Sequence, residues 1–171
     1  HLTVAVNCSP AQFYSGTLIG DVNQALSKSN FPAYRLEIEI TEGTILKDED
    51  LVLSQLNTLS DMGCSIALDD FGTGYSSLSY LWKFPFSKLK IDRSFIQVLD
   101  STPKAPSILK SIMDLSRNLS LEVTAEGIET REQMETLRAL DCDYLQGYLC
   151  GKPTERADLA AVIMKNFSDI L

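Results

Sequence analysis

The sequence predicts an α/β fold of the (β/α)8 TIM-type barrel class, with about six of its eight βα units present. Two patterns predict it. Six apolar runs of β type are each followed by an amphipathic helical stretch, the alternation of a mostly parallel sheet. Within the runs, one parity is greasy and the other is small or polar. A doubly wound open sheet meets helices on both faces and reads apolar on both. A barrel meets helices only outside, so polar inner positions near the strand ends belong to a site.

The first strand covers residues 2–7, with Leu2, Val4 and Val6 opposing Thr3, Ala5 and Asn7, and a helical pattern follows over 17–29. The second strand covers 35–41, where Leu36, Ile38 and Ile40 oppose Glu37, Glu39 and Thr41; its helix spans 48–62. Residues 64–70 set Ile66 and Leu68 against Ser65, Ala67 and Asp69, ahead of a helix near 77–83. Residues 88–92 set Leu89 and Ile91 against Lys88, Lys90 and Asp92, with a helix over 106–118. Residues 121–126 set Leu121, Val123 and Ala125 against Glu122, Thr124 and Glu126. Thr130 and Gln133 form a capping-box pattern for the next helix, 131–140. A short strand at 143–146 and a helix near 155–169, entered through Pro153-Thr154, complete the series. A full barrel takes about 250 residues. The chain opens in a strand, so the expectation is one partial domain over 1–171, lacking its first two βα units, with open edges and no second domain.

Composition narrows the chemistry. There are 171 residues with 23 acids, 15 Lys and Arg, a formal charge of −8 and one His, at position 1. Ser–His–Asp and Cys–His catalysis and His-based zinc sites are disfavoured. The acidic balance speaks against binding a nucleic-acid polymer through a basic face. No segment is apolar enough to span a membrane. Cys8, Cys64, Cys142 and Cys150 form no C-x-x-C and read as reduced, buried thiols of a cytoplasmic protein.

Consecutive strands end in Asn7, Glu39, Asp69-Asp70, Lys90, Glu126 and Gln146. In a parallel barrel these ends share one rim. A lone strand-end acid is usually a cap or a solvated residue, but here every strand ends polar. Carboxylate and amide oxygens without His or thiolate suit Mg²⁺ or Mn²⁺. Adjacent Asp69 and Asp70 suit a two-metal site in which one carboxylate bridges. Asp70 has the wrong parity to face inward from an extended strand, so it must sit where the strand turns, with Gly72 and Gly74 permitting the turn. Lys90 would add positive charge beside a phosphate. Lys83, Lys88 and Arg93 read as a solvated face. Trp82, Tyr75 and Tyr80 read as packing. Asp70-Phe71-Gly72 is not a kinase motif, since no Gly-rich loop or H-R-D accompanies it. The implied reaction is metal-assisted hydrolysis of a phosphate ester.

With these residues in place, the chain resembles the EAL-type cyclic-di-GMP phosphodiesterase domain. The matching segments are Val6-Asn7-Cys8-Ser9, Glu39-Ile40-Thr41-Glu42, the string from Asp69-Asp70-Phe71-Gly72 through Gly74 to Ser77, Lys90-Ile91-Asp92, Ala125-Glu126-Gly127-Ile128-Glu129-Thr130 and Gln146-Gly147-Tyr148. They occur in the family's order over essentially the whole chain. The resemblance implies metal ligation by Asn7, Glu39, Asp69, Asp70 and Glu126, with Asp69 bridging. It implies catalytic roles for Lys90, Asp69, Asp70 and Glu126, and substrate contacts at Ser9, Asp92, Gln146 and Pro153. Glu42 and Glu129 would brace the loop from Phe71 to Tyr80, which would also make a homodimer contact. The implied activity is cleavage of one phosphodiester of cyclic di-GMP to linear pGpG in bacterial second-messenger signalling, with Mg²⁺ or Mn²⁺ and inhibition by Ca²⁺. The parent protein could still be membrane-anchored.

Two departures stand out. The segment bearing the Glu-Ala-Leu signature, with its own ligand Glu, is absent. Tyr148-Leu149-Cys150-Gly151-Lys152-Pro153 is a softer match, with Cys150 where an aromatic is common. The alternative reading is therefore a catalytically inactive module that binds cyclic di-GMP or regulates a partner.

Overall fold

The structure, a computed structural model, describes residues 2–74, 78–99 and 101–163. Its six strands are β1 (Val4–Asn7), β2 (Leu36–Thr41), β3 (Ser65–Phe71), β4 (Lys88–Ile91), β5 (Glu122–Ala125) and β6 (Tyr144–Leu145). They pair in sequence order, every pair parallel. Parallel neighbours need crossovers, and here helices supply them. The longer ones are α2 (Leu18–Ser29), α4 (Glu49–Asp61), α7 (Ala105–Asn118) and α8 (Arg131–Ala139). The sheet curls into a half-barrel with helices outside, part of the predicted barrel.

The strand parities sort as predicted. Ile38, Ile40, Ile66, Leu68, Leu89, Ile91 and Val123 are buried in one apolar cluster with helix residues Leu56, Leu59, Leu109 and Leu137. The opposite parity buries Glu37, Glu39, Asp69, Lys90 and Thr124. Buried charge on one face and aliphatic packing on the other is what a barrel interior requires and a doubly wound sheet forbids. On β1, by contrast, Val4 and Val6 remain 47% and 43% exposed, and among the described residues β1 pairs with β2 alone.

Three short helices, each starting within a few residues of a strand end, escaped the periodicity reading: α1 (Pro10–Tyr14), α3 (Glu42–Ile45) and α6 (Arg93–Gln97). One turn is too short to show a 3.6-residue period. Two of them carry side-chain hydrogen bonds at their first turn. The Ser9 amide donates to Gln12 Oε1 at 2.9 Å, and Asp92 Oδ1 accepts from the Ser94 amide at 2.9 Å. At α8 the Thr130–Gln133 capping box is present in both directions.

Several expectations need correcting. α5 (Ser79–Lys83) takes the place of the helix expected near 77–83, whose first residue lies outside the described residues. The last helix begins near 159 rather than 155, because the Asp158 and Leu159 amides close tight turns onto Glu155 and Arg156 first; the part of that helix beyond 163 lies outside the described residues. All four cysteines are free, but only Cys8 and Cys64 are buried, and Cys142 and Cys150 are half-buried beside β6. Trp82 is 66% exposed rather than packed, while Tyr80 meets Phe84 edge-on with centroids 5.7 Å apart. Tyr75 lies outside the described residues.

Candidate metal centre and adjoining cleft

Parity and parallel register bring the centre together. Asn7 pairs with Glu39 across β1–β2, and Lys90 pairs with Thr124 across β4–β5, with Glu126 just beyond β5. The Lys90 ammonium is the hub. It lies 2.9 Å from Glu39 Oε1, 3.0 Å from Asp69 Oδ1 and 2.8 Å from Glu126 Oε1. Its side chain is 6% exposed, so these contacts replace nearly all its water. Burial alone would strip its charge. Hydrogen bonds to Glu126, Glu39 and Asp69 outweigh burial and hold it well above the ordinary lysine range. Burial raises Glu126, and Lys90 restrains that rise.

The Asn7 side-chain amide faces the same carboxylates. One terminus sits 3.3 Å from Glu39 Oε2 and 3.2 Å from Asp69 Oδ2. With nitrogen there it donates to both; with oxygen there, three oxygens converge. Neighbouring ligands in an octahedral Mg²⁺ shell at about 2.1 Å lie about 3.0 Å apart. An amide rotation therefore converts a hydrogen-bonded trio into an oxygen ligand set.

Asp70 enters by a backbone device that the sequence reading placed elsewhere. The β3–β4 register shifts between Leu68 and Phe71, and the bulge sits inside a strand that runs on to Phe71. Asp70 itself takes φ +54°, the left-handed region, followed by Gly72 at +90°, while Gly74 is not in that region. The bulge re-aims one side chain, which is how Asp70 joins its neighbour on the rim. Ligand atoms of Asp69, Asp70 and Glu126 lie within 4.8 Å of one another. Burial first, then Asp69, raises the Asp70 carboxyl. Close carboxylates with oxygen donors only, Asp69 among them buried, fit a pair of hard divalent cations.

The loop after β3 is tied down from β2. Glu42 is buried, and its Oε1 accepts from the Gly72 amide at 3.4 Å. Tyr75, Ser76 and Ser77 lie outside the described residues, and with them part of the loop expected to support a dimer.

Beside the centre opens a cleft of about 460 Å³. Five expected site residues line it: Asp70, Asp92, Glu126, Glu129 and Gln146. Glu129 thus stands on the cleft wall. Ser9 and Pro153 are exposed and lie outside the lining. Burial opposes the Asp92 charge, but hydrogen bonds from Ser94 and Arg93 hold its carboxyl below the usual range. Four lining residues stand outside the expected site: Arg93, Gly127, Gly147 and Tyr148. Gly127, Gly147 and Tyr148 lie within the matching segments themselves, and Arg93 directly follows Lys90-Ile91-Asp92. Of the face expected to be solvated, Lys83 and Arg93 are exposed and Lys88 is not. Lys88 is turned inward onto Glu37 at 2.6 Å, and Lys83 pairs with Glu49 outside.

Comparison with known proteins agrees with this geometry. The EAL domain family model matches residues 1–153. A bifunctional diguanylate cyclase/cyclic di-GMP phosphodiesterase of Pseudomonas aeruginosa, MucR, is 44% identical over 94% of this chain and 23% of its own length. The solved structure of the PaMucR phosphodiesterase in complex with c-di-GMP superposes with TM-score 0.86, covering 92% of this chain and 64% of that one. A manganese/cy-diGMP complex of Klebsiella pneumoniae BlrP1 gives 0.82 at 29% identity, covering 88% and 39%. The chain spans about a fifth of the length of several curated relatives it matches. On the family match, the shared fold and the rim these residues form, this chain belongs to the EAL domain family.

Proposed function

We propose that this chain is the greater part of a cyclic-di-GMP phosphodiesterase domain that hydrolyses one phosphodiester of cyclic di-GMP to linear pGpG. The observation carrying this reading is the buried Lys90 ammonium bound to Glu39, Asp69 and Glu126, with Asp70 alongside. Relatives named as cyclic di-GMP phosphodiesterases support it.

Asn7, Glu39, Asp69, Asp70 and Glu126 would hold two Mg²⁺ or Mn²⁺ ions, with Asp69 bridging. When bound, such a pair supplies Lewis-acid polarisation of the phosphate and activation of water. Lys90 is a hydrogen-bond donor fixed among the ligands, placed to orient the attacking water and offset charge developing on the phosphate. Glu42 holds the loop after β3. Glu129, expected to brace the same loop, serves from the cleft wall. Asp92 and Gln146 would contact substrate in the cleft, and Ser9 and Pro153, outside its lining, would add further contacts. Ca²⁺ would occupy the site and inhibit, since it takes longer bonds and more ligands. Residues preceding this chain would supply two further βα units and another ligand Glu. A homodimer through the loop from Phe71 to Tyr80 and a cytoplasmic setting complete the proposal.

The test is to incubate the natural full-length protein with cyclic di-GMP and Mn²⁺ and separate the products by chromatography. Linear pGpG from wild type and none from Asp69→Ala or Lys90→Ala is expected. Tight binding without product would instead favour a non-catalytic receptor.

A further inference from the structure

The wall of the cleft is chemically lopsided. It carries four carboxylates, Asp70, Asp92, Glu126 and Glu129, and one cation, Arg93. Lys90, the nearby alternative, is engaged by three carboxylates. Arg93 is engaged by none: among the described residues its guanidinium makes no hydrogen bond or ion pair, and Asp92 is the group it influences through space.

The base of this side chain is nonetheless fixed. Arg93 opens α6, directly after the capping Asp92. Its stem lies against the backbone of Gly127, which has φ +73°, and a Cβ there would fall 2.3 Å from Arg93 Cβ. The glycine after Glu126 thus leaves the space that the arginine stem fills. A guanidinium with five donors is anchored at one end and uncommitted at the other, inside a cleft next to the proposed metal pair.

A cyclic dinucleotide brings two phosphodiesters, and one of them sits at the metals. The other keeps its negative charge, and in a cleft lined by Asp92 and Glu129 an unpaired anion is repelled. The guanidinium fork matches two phosphate oxygens at once. We propose that Arg93 binds the phosphodiester that is not cut, anchoring the substrate for cleavage of the other. This rests on the phosphodiesterase reading.

The experiment uses Arg93→Ala and Arg93→Lys in the natural full-length protein. Cyclic di-GMP is compared with bis(p-nitrophenyl) phosphate, a diester with no second phosphate, both with Mn²⁺. Loss of a charge-assisted pair predicts a rise of about 10- to 100-fold in the Arg93→Ala KM for cyclic di-GMP. Its kcat and the bis(p-nitrophenyl) phosphate rate should stay within about 2-fold, with partial recovery of KM in Arg93→Lys. Calorimetric titration of cyclic di-GMP in Ca²⁺ should show the same loss in Kd without turnover. An unchanged KM and Kd overturns the inference, and so does an equal loss for both diesters, which would assign Arg93 to the metal centre or the fold. Should wild type bind cyclic di-GMP without cleaving it, the phosphodiesterase reading falls and the calcium titration still decides on Arg93. Should wild type neither bind nor cleave, both fall.

Discussion

Lys88 Nζ lies 2.6 Å from Glu37 Oε2, two residues below Lys90 and Glu39 on the same two strands. The interior therefore holds two stacked ion pairs bridging β2 and β4, and Ala67 of β3, in register with both Glu39 and Lys88, is small enough to lie between. Lys88 also sits 4.3 Å from the Tyr144 ring, whose hydroxyl donates to Glu122 at 3.1 Å. The lower pair makes no contact with the proposed ligand atoms; its consequence is mechanical.

Removing one partner of that lower pair should be costly. Lys88→Ala leaves the Glu37 carboxylate, 7% exposed, without its ion-pair partner. The expected loss is about 3 kcal/mol, whereas the paired change Lys88→Met with Glu37→Leu should be near neutral. Urea unfolding of the three proteins checks this; a Lys88→Ala loss under about 0.5 kcal/mol would show the pair to be solvated.

Divalent cations should stabilise the fold with the logarithm of their concentration above Kd. Four carboxylates gather at the centre around one ammonium, which contacts three of them. Mn²⁺ at 100 times its Kd would add about 2.7 kcal/mol, and EDTA would remove it. Thermal unfolding should show a rise in Tm on adding Mn²⁺ in wild type and none in Asp69→Ala.

Asp70 trades stability for chemistry. A non-glycine residue in the left-handed region costs about 1 kcal/mol, and Asp70 holds φ +54°. Asp70→Gly should unfold at higher urea than Asp70→Ala when no cation is present, and both should be inactive. Equal midpoints would refute strain at this position.

Thiol chemistry should follow burial. Burial pushes Cys142 up to about 11, so at pH 8 about 0.1% is thiolate. Iodoacetamide should modify it slowly at pH 8 and about tenfold faster per unit until pH 11. The folded thiol holds its proton more tightly than the unfolded one. The shift therefore favours the native state below about pH 9 and is lost as pH rises toward 11. Mass spectrometry of the labelled peptide against a denatured control reads the rate.

The sequence by itself determined the strand order, the inward parity of Glu39, Asp69 and Lys90, and the oxygen-only donor set, because a strand's period is two and a parallel series puts its carboxyl ends on one rim. Tertiary structure alone decided the rest. The bulge and left-handed φ at Asp70 arise from a register shift between β3 and β4, which no local pattern encodes. Lys88 and Lys90 share a parity, yet one anchors the proposed metal centre and the other a pair beneath it, because depth along the strand sets which acid each can reach. Arg93 looked like one more surface charge until Gly127 and the cleft gave its stem a fixed place. Periodicity reports which face a side chain takes; which partner waits there depends on segments far apart in the chain.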